Sequence, residues 1–311
     1  MRLILHSGTH KTATTTFQGI CFKYKELLSK DSLYYPSLIP LSENKYLMKI
    51  FHKNNFNFSE YNNHSPLAWL IQEHDFNSIS KFFKTIYKKA IRLDCNNVLI
   101  CGEDFENLLV DQYLAKEFST ILKNIGFENV EWVFVKRDPF SYLKSIYSEL
   151  SKHNLIVNFE KLYKQVWEKG FLTYAGDFYT WKFIFDFNYF KDKFDNSLAS
   201  KSSLFSFKDF THEFVGKILL SRYLTKSSIE DLIKNGVSHH YANKSLPALN
   251  IEFRYICNYL GVVESNSNYK SNKKIFDPLI RHRQNIIAEY EKHKKDEFNK
   301  RFSYNFRKPN Y

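Results

Sequence analysis

Short apolar runs along the chain alternate with stretches whose apolar residues recur at helical spacing. Residues 2–7 form the first run and read as a strand. After it, Phe17, Ile20, Cys21, Tyr24, Leu27 and Leu28 fall at i, i+3, i+4, i+7, i+10 and i+11, one stripe of a helix over residues 12–29. Ile79, Phe82, Phe83, Ile86, Tyr87 and Ala90 predict a second helix over Ser78–Leu93, followed by a strand at Val98–Cys101 and a helix over Leu108–Asn124. Val130–Lys136 reads as a third strand, and Pro139 suits the first position of a helix ending near Leu150. Beyond it, Phe159–Lys169 and Asp177–Phe190 read as helices and Ser203–Phe207 as a fourth strand. Lys208–Leu224 and Leu246–Leu260 read as further helices, separated by a polar loop over Ser238–Ser245. The last segment, Asp277–Phe302, reads as a highly charged helix with Leu279, Ile286, Ile287, Tyr290 and Phe298 on its less polar side. Strand alternating with helix predicts an α/β fold, a parallel sheet with helices on its faces.

Two polar stretches interrupt this order: an Asn-rich insertion with short helices over residues 41–77, and a charged helical extension over residues 265–311. No strong linker, repeat or low-complexity block divides the chain, so residues 1–311 are expected to form a single domain.

The first strand runs into Gly8, then Lys11 among five threonines, then the helix. Thr12–Thr16 are therefore expected in the first helical turn, where unpaired backbone N–H groups and the positive end of the macrodipole attract phosphate oxygens. Lys11 adds a full charge there. Threonine is a poor helix former, so the cluster suggests hydroxyls serving as donors, although N-capping explains one of them equally well. In open α/β sheets ligands bind beyond the carboxyl ends of the strands, so the turns carrying Lys11, Glu103 and Arg137 are expected to converge. On the helix after Arg137, Phe140, Leu143, Ile146, Tyr147 and Leu150 form the apolar stripe. Ser145 lies roughly 160° from it at about 100° per residue, facing a ligand or solvent.

Composition narrows the partners. The 45 Lys+Arg against 33 Asp+Glu give a net charge of +12, which favours anionic partners such as nucleotides, nucleic acid, acidic glycans or anionic lipid surfaces. The positive residues are scattered, densest at Lys270–Lys274 and Lys292–Arg301, and no motif for binding DNA or RNA accompanies them, so nucleic acid is not expected. The basic C-terminal helix is read as a solvated covering helix, with docking on a membrane or a second subunit as the alternative. Cys21, Cys95, Cys101 and Cys257 have no CxxC spacing and read as reduced structural residues. Met1 leads straight into the first strand and no apolar stretch approaches the roughly 20 residues of a membrane span, so a cytoplasmic protein is expected. Aromatic residues make up 18 % of the chain and are read mainly as core.

Taken together, Lys11-Thr12-Ala13-Thr14-Thr15 and the later Arg137-Asp138-Pro139 with Ser145 resemble the sulfotransferases that use 3′-phosphoadenosine-5′-phosphosulfate (PAPS), bacterial carbohydrate-sulfating members in particular. Those enzymes have a KTGTT loop and an RDP segment with a serine eight residues after the arginine. A weaker likeness runs through Leu204–Phe210 and Asn243-Lys244-Ser245-Leu246, so the resemblance spans residues 1–260. It implies a P-loop-type open sheet with helical insertions and a C-terminal helix. It also implies a 5′-phosphosulfate held by the loop from Gly8 through His10, Lys11, Thr12, Ala13, Thr14 and Thr15, with the 3′-phosphate on Arg137 and Ser145. The acceptor implied is a hydroxyl of a cell-surface glycan or its lipid-linked precursor, and no metal is expected. A small hydroxylated metabolite is also compatible.

One departure is Ala13 where the family usually has glycine; alanine suits helical geometry but not positive φ, so this residue is expected within the helix. In the reaction the resemblance implies, Lys11 would stabilise charge on the leaving phosphate and Glu103, just past the second strand, would take the acceptor's proton. Alternatively Glu103 caps the following helix or pairs with Lys11. Asp104 is the next candidate base, His10 is read as a donor to phosphate or a spacer, His6 as a satisfied core histidine, and His239 and His240 as loop residues or part of an acceptor pocket. Two other readings compete: a Walker A kinase, and a non-catalytic nucleotide- or glycan-binding module of the same fold. The kinase pattern needs glycine directly before the lysine and five residues before that, positions held here by His10 and Leu5.

Overall fold

A computed structural model of the chain describes residues 1–151, 158–176, 178–198, 202–237, 248–261 and 271–304. They belong to two compact units. The first comprises Met1–Arg137 and Thr173–Asn243, the second Asp138–Leu172 and Lys244–Asn305.

In the first unit, β1 (Arg2–His6) leads to helices α1 (Thr14–Lys23) and α2 (Lys25–Lys30) and the short strand β2 (Leu33–Tyr34). The polar insertion holds α3 (Lys45–Lys53) and α4 (Ser65–Gln72), followed by α5 (Phe76–Arg92) and β3 (Asn97–Cys101). A 3₁₀ segment, Glu103–Leu109, precedes α6 (Gln112–Ile125) and β4 (Asn129–Lys136). The five-stranded sheet has the order β2-β3-β1-β4-β7, with β7 (Ser203–Ser206) at one edge. All its pairings are parallel: Leu3 lies level with Val98 and Val130, and Val135 with Phe205. The central strand β1 is flanked by the strands of two successive crossovers, so the turns after β1, β3 and β4 share one edge of the sheet.

Alternation along the strands sends side chains to both faces. Ile4, Leu99, Cys101, Val133, Val135 and Phe205 face Phe17, Ile20 and Cys21 of α1. On the other face Trp132 meets Phe118 of α6, with rings 6.2 Å apart. All four cysteines are buried thiols. The aromatic content is largely core, as read from composition: Phe17, Phe82, Phe83, Phe105, Phe118, Phe127 and Phe134 are fully buried. Each such ring contributes about 1.5–3 kcal/mol relative to exposure.

Three helical expectations give way to other structure. Asp177–Phe190 does not form one helix: β5 (Phe171–Ala175) and β6 (Thr180–Ile184) pair as a hairpin, and α9 spans Phe187–Leu198. Thr180, Trp181 and Phe183 are residues that favour a pleated surface, and the helical stripe starts only at Phe187, Phe190 and Phe194. Lys208–Leu224 divides into α10 (Phe207–Phe210), which ends at Thr211, and α11 (Lys217–Leu220), which starts after Gly216 at a left-handed φ of 86°; a β-carbon there would lie 2.1 Å from the Phe17 ring. A further helix, α12 (Lys226–Lys234), follows with Thr225 as its cap. The predicted helix over residues 12–29 starts at Thr14 and divides at Tyr24.

The second unit is helical: α7 (Pro139–Leu150), α8 (Phe159–Lys169), α13 (Ala248–Leu260) and α14 (Lys273–Phe302). Asp138 caps α7 by accepting from Ser141 N, with Pro139 in its first turn. The charged helix α14 begins earlier than its pattern suggests and buries Phe276, Ile280, Phe298 and Phe302. Leu279, predicted on its less polar side, is 45 % exposed. Phe298 packs 5.9 Å from Phe140 and 5.0 Å from Tyr163, ring to ring. A buried ion pair ties α13 to α14, Arg283 Nε donating to Glu252 at 2.6 Å, and Tyr147 of α7 donates to the same carboxylate at 3.2 Å. Burial pushes the Glu252 carboxyl up despite Arg283 beside it. Among the described residues, no helix is long and apolar enough to cross a membrane.

Candidate anion-binding site at the carboxyl edge of the sheet

The loop Ser7–Ala13 leaves β1 at the centre of the sheet and is stitched to its neighbours. Ser7 N donates to Val133 O at 2.8 Å, Thr9 Oγ1 to Val135 O at 2.8 Å, and Gly102 N to His6 O at 3.1 Å. Gly8 is required at the first bend. Its φ is 35°, and a β-carbon would come within 2.7 Å of Thr14 Oγ1 and 2.9 Å of His6 Cε1.

Further along, Lys11 and Ala13 both have φ of 62°. Ala13 is thus not helical, contrary to the expectation from its side chain. It is the left-handed N-cap residue of α1, and it supplies no capping side chain. The helix therefore starts two residues later than its threonine cluster suggests, and none of those threonines caps it. Left-handed backbone costs an L-residue about 1–2 kcal/mol, so the surrounding hydrogen bonds hold the loop in a strained form. Thr12 and Thr14 are buried, with their hydroxyls 3.4 Å apart, whereas Thr15 is exposed.

Two polar atoms buried beneath the loop have no hydrogen-bond partner: His6 Nε2 and Ser7 Oγ. His6 is a core histidine, stacked 4.9 Å from Phe210, but only half satisfied, since Nδ1 alone has a partner, Cys101 Sγ at 3.0 Å. Burial lowers its pKa to about 3, so the ring is neutral. A backbone cradle opened by Gly8, orphaned polar atoms behind it and Lys11 at its end fit a bound anionic group.

Acidic groups line the other side. The side chain of His10 is buried, with Nδ1 3.7 Å from Glu103 Oε1 and Nε2 3.3 Å from Asp104 Oδ1, the latter in a geometry that forms no good hydrogen bond. Its backbone N–H donates to Glu106 Oε2 at 3.1 Å. Burial opposes charge on this ring, but Glu103, Asp104 and Glu106 outweigh it and raise its pKa to about 9. Asp104 is itself fixed by two indoles, accepting from Trp69 Nε1 at 2.5 Å and Trp181 Nε1 at 3.1 Å. Glu106 also accepts from Ile184 N of β6 at 2.6 Å. Asp104 and Glu106 are thus committed to holding the insertion and the hairpin, while the Glu103 side chain is 28 % exposed.

After β4, Arg137 Nη1 donates to the Lys11 carbonyl at 3.4 Å, and its guanidinium lies 5.2 Å from the centre of the Phe207 ring. The first unit therefore brings Lys11, His10, Glu103 and Arg137 to one sheet edge, as the turn positions predict. Ser145 belongs to the second unit, on α7, where its hydroxyl donates to Ser141 O at 2.9 Å. His239, His240 and Asn243–Leu246 lie outside the described residues.

Pattern reading missed Glu106, Trp69 and Trp181. The first had a local signal, because residues three apart share a side of a 3₁₀ turn, as Glu103 and Glu106 do here. The tryptophans come from remote segments with no such signal. His64, from the insertion, is equally embedded: Nδ1 accepts from Cys101 N at 3.1 Å, so Nε2 donates to Pro36 O at 2.9 Å. Among the described residues no group of three or more His, Cys, Asp or Glu side chains is arranged to hold a metal ion. Comparison with protein-family models, curated proteins and solved structures returns no match.

Proposed function

We propose that this chain is a PAPS-dependent sulfotransferase acting on a hydroxyl group, most simply one of a carbohydrate, and that its sheet is of the P-loop type. The observation that carries the reading is the meeting of Lys11, Glu103 and Arg137 around a strained loop with orphaned polar atoms behind it. A cation, a surface-reaching carboxylate and a guanidinium at one edge are the groups that transfer from an anionic donor to a neutral hydroxyl requires.

PAPS, when bound, supplies an activated sulfuryl group on a phosphate leaving group. In this reading the Lys11 ammonium and the uncapped N–H groups of α1 neutralise charge building on the leaving oxygen. Glu103, whose side chain reaches solvent, receives the proton of the attacking hydroxyl. Arg137 grips the 3′-phosphate through its planar fork, which lysine does not reproduce. The exposed hydroxyl of Thr15, at the start of α1, orients the phosphosulfate.

Thermal unfolding with adenosine 3′,5′-bisphosphate against Mg-ATP tests the donor class. Stabilisation by the bisphosphate is expected; stabilisation by Mg-ATP alone, or by neither, refutes the reading. Labelled PAPS with a glycan panel then identifies the acceptor, and Lys11→Ala is expected to abolish transfer.

A further inference from the structure

His10 is the least expected member of the site. It sits between Thr9 and Lys11 in the loop that the proposed function gives to an anion, yet its ring faces carboxylates. Each ring nitrogen lies within 4 Å of a carboxylate oxygen, 3.7 Å from Glu103 and 3.3 Å from Asp104. A neutral imidazole carries a proton on one nitrogen only and would turn a lone pair toward one of these acceptors; the imidazolium presents N–H to both. The third carboxylate, Glu106, accepts from the same residue's backbone at 3.1 Å. The Phe183 ring, 4.8 Å away and nearly perpendicular, closes one side without contributing charge.

The three carboxylates are not equivalent. Asp104 is pinned by two indole N–H groups and Glu106 by two backbone N–H groups, and their residues are 4 % and 0 % exposed. Glu103 is the one that reaches solvent.

We propose that His10 is a positioning residue, an imidazolium that keeps the Glu103 carboxylate ionised beside the anion loop and is itself anchored from behind by Asp104 and Glu106. This rests on the reading of Glu103 as the proton acceptor. A carboxylate next to a loop that attracts anions would otherwise take up a proton whenever an anion binds, and a protonated Glu103 accepts nothing from a hydroxyl. Lys11 and Arg137 share this sheet edge, and the phenols that feel the cluster's charge add none of their own. Burial, with the charges of Asp104 and Glu103, pushes the Tyr61 phenol well above its ordinary range, and burial with Asp104, Asp111 and Glu106 does the same to Tyr179. Both stay neutral. The raised pKa of His10 agrees with the charge that its place among the carboxylates favours.

Two measurements test the assignment. Side-chain NMR of the full chain with labelled histidine and glutamate follows His10 and Glu103 directly, without substrate. Both His10 nitrogens are expected to be protonated at neutral pH, and the Glu103 carboxyl to titrate higher by about one pH unit or more in His10→Asn and His10→Gln. Kinetically, the acid limb of the kcat/KM profile with PAPS is expected to rise by the same amount in both variants, with the Kd of adenosine 3′,5′-bisphosphate changed less than kcat at low pH. A His10 that titrates at or below the ordinary imidazole value, or a Glu103 titration that does not move in either variant, overturns the proposal. The wild-type His10 titration decides even if both variants fail to fold. Absence of sulfuryl transfer in wild type would count against the function and leave the substrate-free titrations to judge His10.

Discussion

The conformation of Ala13 makes a prediction whose sign alone is decisive. In the structure it caps α1 at φ 62°, ψ 23°, a left-handed geometry that costs an L-residue about 1–2 kcal/mol and glycine almost nothing. Glycine also frees the unfolded chain, which offsets about 0.4–1 kcal/mol of the gain. The net expectation for Ala13→Gly is stabilisation of about 0.5–1 kcal/mol, or some 1–4 °C in Tm for a unit of this size. Ala13→Val, with a branched β-carbon forced into the same region, is expected to lose more than 1 kcal/mol by the same reasoning. Differential scanning calorimetry of the two variants beside wild type provides the assay, repeated with saturating adenosine 3′,5′-bisphosphate to show that the glycine variant retains the loop. Were Ala13 inside the helix, as its side chain alone suggests, the sign for glycine would reverse, to a cost of roughly 0.5–1 kcal/mol, and the loss for valine would shrink to only a few tenths. A glycine variant less stable than wild type therefore refutes the left-handed cap and with it the strained form of the loop.

Arg137→Ala is expected to weaken adenosine 3′,5′-bisphosphate binding by roughly 2–5 kcal/mol, read by calorimetric titration; unchanged affinity would remove Arg137 from the site. For Glu103→Gln a large fall in kcat with bisphosphate affinity nearly kept is expected, and a fall in affinity alone would recast Glu103 as structural. His10 also links stability to pH. Its pKa is raised from 6.5 to about 9 on folding, so its contribution, roughly 3 kcal/mol at 1.36 per pH unit, is fully present below 6.5 and lost as pH rises through about 9. Urea unfolding across that window is expected to show the loss in wild type and a smaller one in His10→Asn; parallel curves would contradict it. Glu252→Gln leaves Arg283 buried with its charge uncompensated and is expected to destabilise the second unit by about 3–5 kcal/mol, whereas Glu252→Met with Arg283→Met is expected to be far milder, since burial already offsets much of the pair's attraction.

How much of this was readable from the sequence depended on the range of the interactions involved. β1, β3, β4 and β7 were legible as apolar runs, and their parallel pairing followed from the helices between them. Lys11, Glu103 and Arg137 were legible because a parallel sheet puts every strand's exit on one edge, so their convergence needs no distant contact to be foreseen. The β5–β6 hairpin was not, since a short aromatic segment such as Tyr179–Phe185 fits either periodicity and only its hydrogen bonds to Asn107 and Glu106 choose the strand. Ala13 misled for a different reason: residue type reports what a position tolerates cheaply, not what the hydrogen bonds around it can enforce.

The same distinction explains why His10 looked like a spacer. Its neighbours in sequence are a threonine and a lysine, which suggest a donor to phosphate, but its neighbours in space come from the 3₁₀ segment, and Trp69 and Trp181 fix the carboxylate behind it. A loop built only to attract anions gains nothing from three carboxylates at 3.1–3.7 Å from one of its residues. Their Coulombic effect on a bound anion is unfavourable, and a positive charge at position 10 offsets part of it. The arrangement becomes economical if one of those carboxylates is needed at the loop in its charged form. Asp104 and Glu106 are buried behind the ring, whereas Glu103 reaches solvent where a substrate would meet it, and in the proposed arrangement the imidazolium between them allows an acid and an anion loop to share one edge of the sheet.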